Sequence, residues 1–206
     1  PGETDWNRAG KQQGWVASPL NDLGVQQAEK LGHLLPLIGV GAIYASDLKR
    51  AAQTAKIMAH RLDLQPIYDA RLRERSVGMW QGLTMQEIRA WYPDAFRALL
   101  ADVDGYRIPG GESRLDVQQR MAAIMKEILA QAACETVVVI SHTTAIKMAI
   151  RSLVPGMDVQ LNELTNSSVT TLERDESGLW RTVAVDDVLH LEGLEAAAVK
   201  EPEDES

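Results

Sequence analysis

Apolar positions along the chain switch between a helical rhythm and short unbroken runs, and the switches predict its elements. From Asn21 the positions Val25, Ala28, Leu31 and Leu35 recur at helical spacing, with Asn21 as the cap. "GAIYAS" follows as a short buried strand. Ser46 then caps a second predicted helix, whose inner face is Leu48, Ala51, Ala55, Met58, Ala59 and Leu62. Thr84 and Glu87 have the spacing of a capping box for a third helix running toward Trp91. "RLDVQQRMAAIMKEILAQA" predicts a long helix with Leu115, Met121, Ile124, Ile128 and Leu129 inward. "TVVVI" is a continuous β-branched run, the pattern of a strand buried on both faces. It leads through Ser141 and His142 straight into a helix over "TTAIKMAIRSLV". "SVTTLER" and "LWRTVAV" flank "DESG" and predict a terminal hairpin. Helices alternating with buried strands predict a three-layer α/β domain.

Composition narrows the class. The 206 residues suffice for one well-buried core, and one domain is the expectation. No run approaches the ~18 apolar residues that span a bilayer, and no signal peptide is visible. A single cysteine, Cys134, allows no internal disulfide and fits a reducing, cytoplasmic compartment. The net charge of −8 is uneven: residues 192–206 hold six acids against one lysine, so the remainder is nearly neutral. The expected division is therefore a domain over 1–191 and an acidic, disordered tail over 192–206. No basic face is evident, so neither nucleic acid nor membrane is an expected partner, and nothing in the pattern sets an oligomeric state.

Three stretches could carry chemistry. In "YASDLKRAAQTA", Arg50 falls in the first turn of its predicted helix, where the helix dipole disfavours a cation. Taken alone it reads as an ordinary surface arginine; its place between a strand and a helix start keeps an anion pocket open. In "VVVISHTTAI", His142 stands at a strand-to-helix turn, where open α/β sheets gather their active-site residues. The N–H groups of Thr143 and Thr144 would point at an anion held there, and a buried histidine bonded to a carbonyl is the other reading. In "LRERSVGMWQG", Glu74 lies among Arg71, Arg73 and Arg75, which alone reads as a solvated charged stretch; Gly78 and Gly82 around Trp80 add a tight loop beside it.

Together these stretches resemble the histidine phosphatase superfamily, the phosphoglycerate mutase-like fold. The matching blocks, in order, are "GETDWN", "QQGWVASPLNDLGVQQA", "SDLKRAAQTA", "LRERSVGMWQG", "PGGES" and "VVVISH". The resemblance implies a three-layer α/β/α sandwich with a mostly parallel central sheet, and a helical insert from Thr84 to Gly111 over the site. It further implies phosphomonoester hydrolysis through a phosphohistidine, with no metal and no cofactor. By this match Arg50 is a phosphate-binding arginine, His142 the second site histidine and Glu74 the proton donor. Asn7 lines the phosphate site and Thr143 contributes a backbone N–H, while the Pro-Gly-Gly segment before Glu112 and Ser113 is structural. "GMWQG" resembles the phosphatase branch more than the mutases, and "SHTTAIK" resembles acid and α-ribazole phosphatase-like members, so the expected ligand is a small phosphorylated metabolite or inorganic phosphate.

One position departs from the family pattern. Gly2, Glu3 and Thr4 align with its Gly-Glu-Thr, which puts Pro1 in the slot of the nucleophilic histidine. The arginine and first strand that precede that slot are not in the sequence. Two explanations stand side by side: residues lie upstream of Pro1, or the nucleophile is replaced, and both can hold at once. The expectations are then a phosphomonoesterase scaffold, a pseudophosphatase that binds without turnover, or a phosphoglycerate mutase.

Overall fold

The computed structural model describes residues 1–157 and 164–194. Helix α1 (Asp5–Arg8) follows the opening loop, and α2 (Asp22–Leu34) is capped by Asn21, whose Oδ1 accepts from Gly24 N at 2.8 Å. Strand β1 (Ala42–Ala45), α3 (Lys49–His60) and β2 (Ile67–Tyr68) come next. Helices α4 (Met85–Trp91) and α5 (Pro93–Ala101) form the insert. Helix α6 (Arg114–Gln131), β3 (Val137–Ile140), α7 (Thr143–Leu153) and the hairpin β4 (Val169–Arg174) and β5 (Trp180–Asp187) complete the order. The capping box expected at Thr84 and Glu87 is present, and Ser113 and Asp116 make another at the start of α6.

The central sheet is parallel in the order β2-β1-β3, with Ala42 opposite Val137 and Ala45 opposite Ile140. One face carries α2 and α3, packed through Leu31, Leu35, Ala51, Ala55 and Met58 onto Ile43, Ala45 and Ile140. The other carries α6 and α7, packed through Val117, Met121, Ile124, Met148 and Ala149 onto Tyr44. Alternate residues of one strand thus serve opposite layers, as the pleat requires. The antiparallel hairpin β4-β5 forms a second, separate sheet. A groove of about 890 Å³, lined by both β3 and β4 and by Pro1, runs between the two sheets.

Three local expectations are corrected. Ser46 does not cap α3: the cap position is Leu48, with no side-chain bond, and Ser46 Oγ instead accepts from Leu48 N just ahead of the helix. Leu115 is 52% exposed, and Val117 takes the inward place. Two residues of helix turn through about 200°, so Leu115 cannot share the face of Val117, Met121, Ile124 and Ile128. In β3 Ile140 is buried, and Val137, Val138 and Val139 are partly buried. The insert builds its own small core from Val77, Trp80, Ile88 and Ile108, flanked by Tyr92 and Phe96. Of the expected tail, residues 195–206 lie outside the described residues.

Candidate functional site

The carboxyl ends of β1 and β3 lie side by side, and each chain turns there into a helix. Arg50 is the second residue of α3, and His142 is the cap residue of α7. The opening loop is pressed against the same end. A Cβ on Gly2 would stand 2.2 Å from Gly24 O, so only glycine lets the loop lie this close to α2. Gly2 N donates to Thr54 Oγ1 at 3.2 Å, and Thr54 Oγ1 donates to Arg50 O at 2.9 Å, which ties the loop to the helix of Arg50.

Arg50 is 4% exposed. Its Nη2 donates to Gly14 O at 3.0 Å and its Nη1 to Val16 O at 3.3 Å. None of the ion pairs among the described residues includes it. Burial lowers its pKa to about 10, partly opposed by the charge of Glu74, so it stays protonated at neutral pH. His142 is 3% exposed, with Nε2 2.9 Å from Ser46 Oγ. Burial first, and then the charge of Arg50, hold its pKa well below the ordinary value of 6.5, so the ring is neutral.

Glu74 faces this pair from the loop after β2. Its Oε2 accepts from Thr144 N at 3.2 Å, and its Oε1 accepts from Arg75 N at 2.7 Å. The Pro1 nitrogen is buried within range of the charges of Arg50 and Glu74, and the Pro1 carbonyl accepts from Ser167 N at 3.0 Å. Pro1, Arg50, Glu74 and His142 therefore converge. Of the two α7 amides, Thr144 rather than Thr143 meets the carboxylate. Asn7 is placed differently from the other four. Its Oδ1 accepts from Thr4 N and Thr4 Oγ1 in the capping box of α1 and from Asn166 Nδ2, so that oxygen serves the loop.

Several contacts at the site escaped the sequence reading. Ser46 contacts His142, although its position suggested only a helix cap. Ser141, one residue before His142, donates through Oγ to Leu72 O at 2.8 Å. Trp15 donates Nε1–H to Glu74 O at 2.7 Å, and the Arg73 guanidinium lies 4.9 Å from its ring centroid while also pairing with Asp47. Arg120 of α6 and Glu112, just ahead of that helix, brace the Glu74 loop. Arg120 left a trace in the sequence as a cation in the inward phase of α6, three residues after Val117, and Trp15, Glu112 and Ser141 stood within matched blocks. Among the described residues no group of three or more His, Cys, Asp or Glu is arranged to hold a metal ion, and no helix is long and apolar enough to cross a membrane.

A cation, a neutral imidazole and the start of α7 thus lie together, faced by a carboxyl group, an arrangement with the chemistry to receive an oxyanion. Comparison with known proteins places the chain in a family. Residues 2–188 match the model of the histidine phosphatase superfamily, branch 1. Phosphoglycerate mutase-like protein 4 of Arabidopsis thaliana is 34% identical over 194 residues, covering 93% of this chain and 84% of that one. Among solved structures, Bacillus stearothermophilus YhfR superposes with a TM-score of 0.82 at 36% identity, covering 93% of this chain and 96% of that one. A mycobacterial glucosyl-3-phosphoglycerate phosphatase in complex with VO3 gives 0.81 at 31% identity, covering 91% and 96%. Fold and sequence thus agree, and the chain belongs to the histidine phosphatase superfamily.

Proposed function

We propose that the chain holds the phosphoryl group of a small phosphate monoester between Arg50, His142 and the start of α7, with Glu74 on the side of the departing oxygen. The observation that carries this reading is Arg50, a buried guanidinium paired with no carboxylate among the described residues. Burying a charge without a counter-charge costs several kcal/mol, and an anionic ligand offsets that cost. A phosphoryl group in transfer spreads charge over its equatorial oxygens, so cations and oriented N–H groups are the needed stabilisers. The carboxyl of Glu74 is the group available to protonate a leaving alkoxide. The free thiol of Cys134 supports a cytoplasmic setting.

Attack on phosphorus requires a nucleophile, and Pro1 has no nucleophilic side-chain atom. Hydrolysis through a phosphohistidine is therefore the reaction of this scaffold with histidine in that slot. Pro1 favours a second reading for the chain as it stands, a pseudophosphatase that binds a phosphorylated ligand without turnover. The mutase reading is supported by the name of the Arabidopsis relative, while "GMWQG" favours the phosphatase branch.

Calorimetry with inorganic phosphate or vanadate tests the pocket. Arg50→Ala is expected to weaken binding by about 1.5–3 kcal/mol, the range for a charge-assisted hydrogen bond. Equal affinity in the variant would overturn the assignment. Replacing Pro1 with histidine, together with an arginine and an apolar strand ahead of it, is expected to give phosphomonoester turnover. Rapid turnover by the proline form that survives loss of His142 would show another nucleophile at work.

A further inference from the structure

The loop that carries Glu74 belongs to no sheet and to no long helix, so its backbone groups need partners from elsewhere. Arg120 supplies three of them, all to carbonyls. Its Nη1 donates to Arg71 O at 2.8 Å and to Arg73 O at 2.6 Å, and its Nη2 donates to Glu74 O at 3.0 Å. The same guanidinium grips Glu112 in parallel, Nε to Oε1 at 2.9 Å and Nη2 to Oε2 at 3.0 Å. All five N–H groups of the fork are thereby used, three of them on one loop. Glu112 closes the bracket on the far side of Glu74, where its Oε2 accepts from Ser76 N at 2.8 Å and its own N donates to Ser76 O at 2.9 Å. The remaining carbonyl of the run, Leu72 O, is held by Ser141 next to His142. Both side chains of the ion pair are about 15% exposed, which is enough burial to fix their rotamers.

We propose that Arg120, through its ion pair with Glu112, is the positioning residue that sets where the Glu74 carboxyl stands against the start of α7, and so governs proton delivery to the leaving oxygen. This rests on Glu74 being the proton donor of the site. A simple ion pair would need only the two bonds to Glu112; the three bonds to carbonyls at 71, 73 and 74 give the pair its aim. Lysine cannot replace it, because a compact ammonium lacks the planar fork that reaches a carboxylate and three carbonyls together. The charge of Arg120 also reaches His142, where it adds to the effects that keep the ring neutral. One side chain thus serves both polar groups that flank the anion.

The Thr144 amide, which donates to Glu74 Oε2, is a reporter for this placement. In the parent chain, Glu74→Gln is expected to move the Thr144 amide resonance, because the charge accepting its hydrogen bond is lost. In an Arg120→Lys background the same Glu74→Gln change is expected to move it several-fold less, with resonances distant from the loop unchanged. Glu112→Gln keeps the shape of the pair and removes its charge; it carries the same measurement should Arg120→Lys not fold, with the same direction of effect. A Thr144 response undiminished in these backgrounds would overturn the proposal, and a drop in stability alone would mark the pair as merely structural. Phosphate affinity of the parent chain is read separately: its absence would remove the anion-site reading, whereas an undiminished Thr144 response removes only the role of Arg120.

Discussion

His142 is neutral in the folded chain because burial and the nearby Arg50 charge oppose its protonation, while the unfolded chain takes up a proton near the ordinary value of 6.5. Below that pH the unfolded state binds more protons than the folded one, so stability falls as the solution is acidified. The limb begins near pH 6.5 and continues down to the lowered folded pKa, with a slope of up to about 1.4 kcal/mol per pH unit for one proton. His190, also lowered chiefly by burial, adds a smaller effect of the same sign. Urea unfolding at pH 7 and pH 5 is expected to show the loss, and His142→Asn to reduce the difference between the two pH values. An unchanged difference in the variant would place the acid sensitivity elsewhere.

At the level of elements, the loop around Glu74 owes its course to a close backbone crossing. Gly78 has φ +45°, and a Cβ there would stand 2.2 Å from Pro109 O and 2.6 Å from Gly111 N. Both neighbours are backbone atoms, so neither can rotate away. Gly78→Ala is expected to destabilise the fold by more than about 2 kcal/mol, through left-handed strain and this overlap together, as denaturant midpoints would show. Ser167 is the opposite case. It is a non-glycine residue at φ +61°, its buried Oγ has no partner among the described residues, and its backbone N–H already serves Pro1 O. Ser167→Gly is expected to stabilise the chain by about 1 kcal/mol, since glycine tolerates that φ and removes the unsatisfied hydroxyl. Destabilisation by this change would mean that the hydroxyl has an unseen role.

At the level of the whole molecule, the site draws on distant segments: the opening loop, the start of α3, the turn before α4 and the start of α7. A ligand that bridges them binds the folded chain and not the unfolded one. Phosphate at about 100-fold above its dissociation constant is expected to add about 2.7 kcal/mol of stability. For a chain of this size that corresponds to a midpoint rise of roughly 5–10 °C in a thermal melt. In Arg50→Ala the rise at the same phosphate concentration is expected to shrink by more than half. An equal rise in both proteins would mean that phosphate acts through surface exclusion and not through the pocket.

The sequence by itself determined the elements whose signals are local. Asn21, the Thr84–Glu87 box, the inner face of α3 and the β-branched run of β3 followed from spacing and capping chemistry, which act within a few residues. Arg50 and His142 drew notice because each stands where a strand turns into a helix, whereas Glu74 drew notice through the six ordered blocks that carried the resemblance. What only the tertiary structure decided depends on contacts between positions far apart in the chain. Ser46 reaches His142 across 96 residues, so its local pattern suggested a helix cap. Arg120 reaches the Glu74 loop across 46 residues. Asn7 kept the polar character expected of it but spends its carbonyl on Thr4 and Asn166. Burial and hydrogen-bond partnership are properties of the packed chain, and periodicity reports only which face a residue takes, not what stands opposite it.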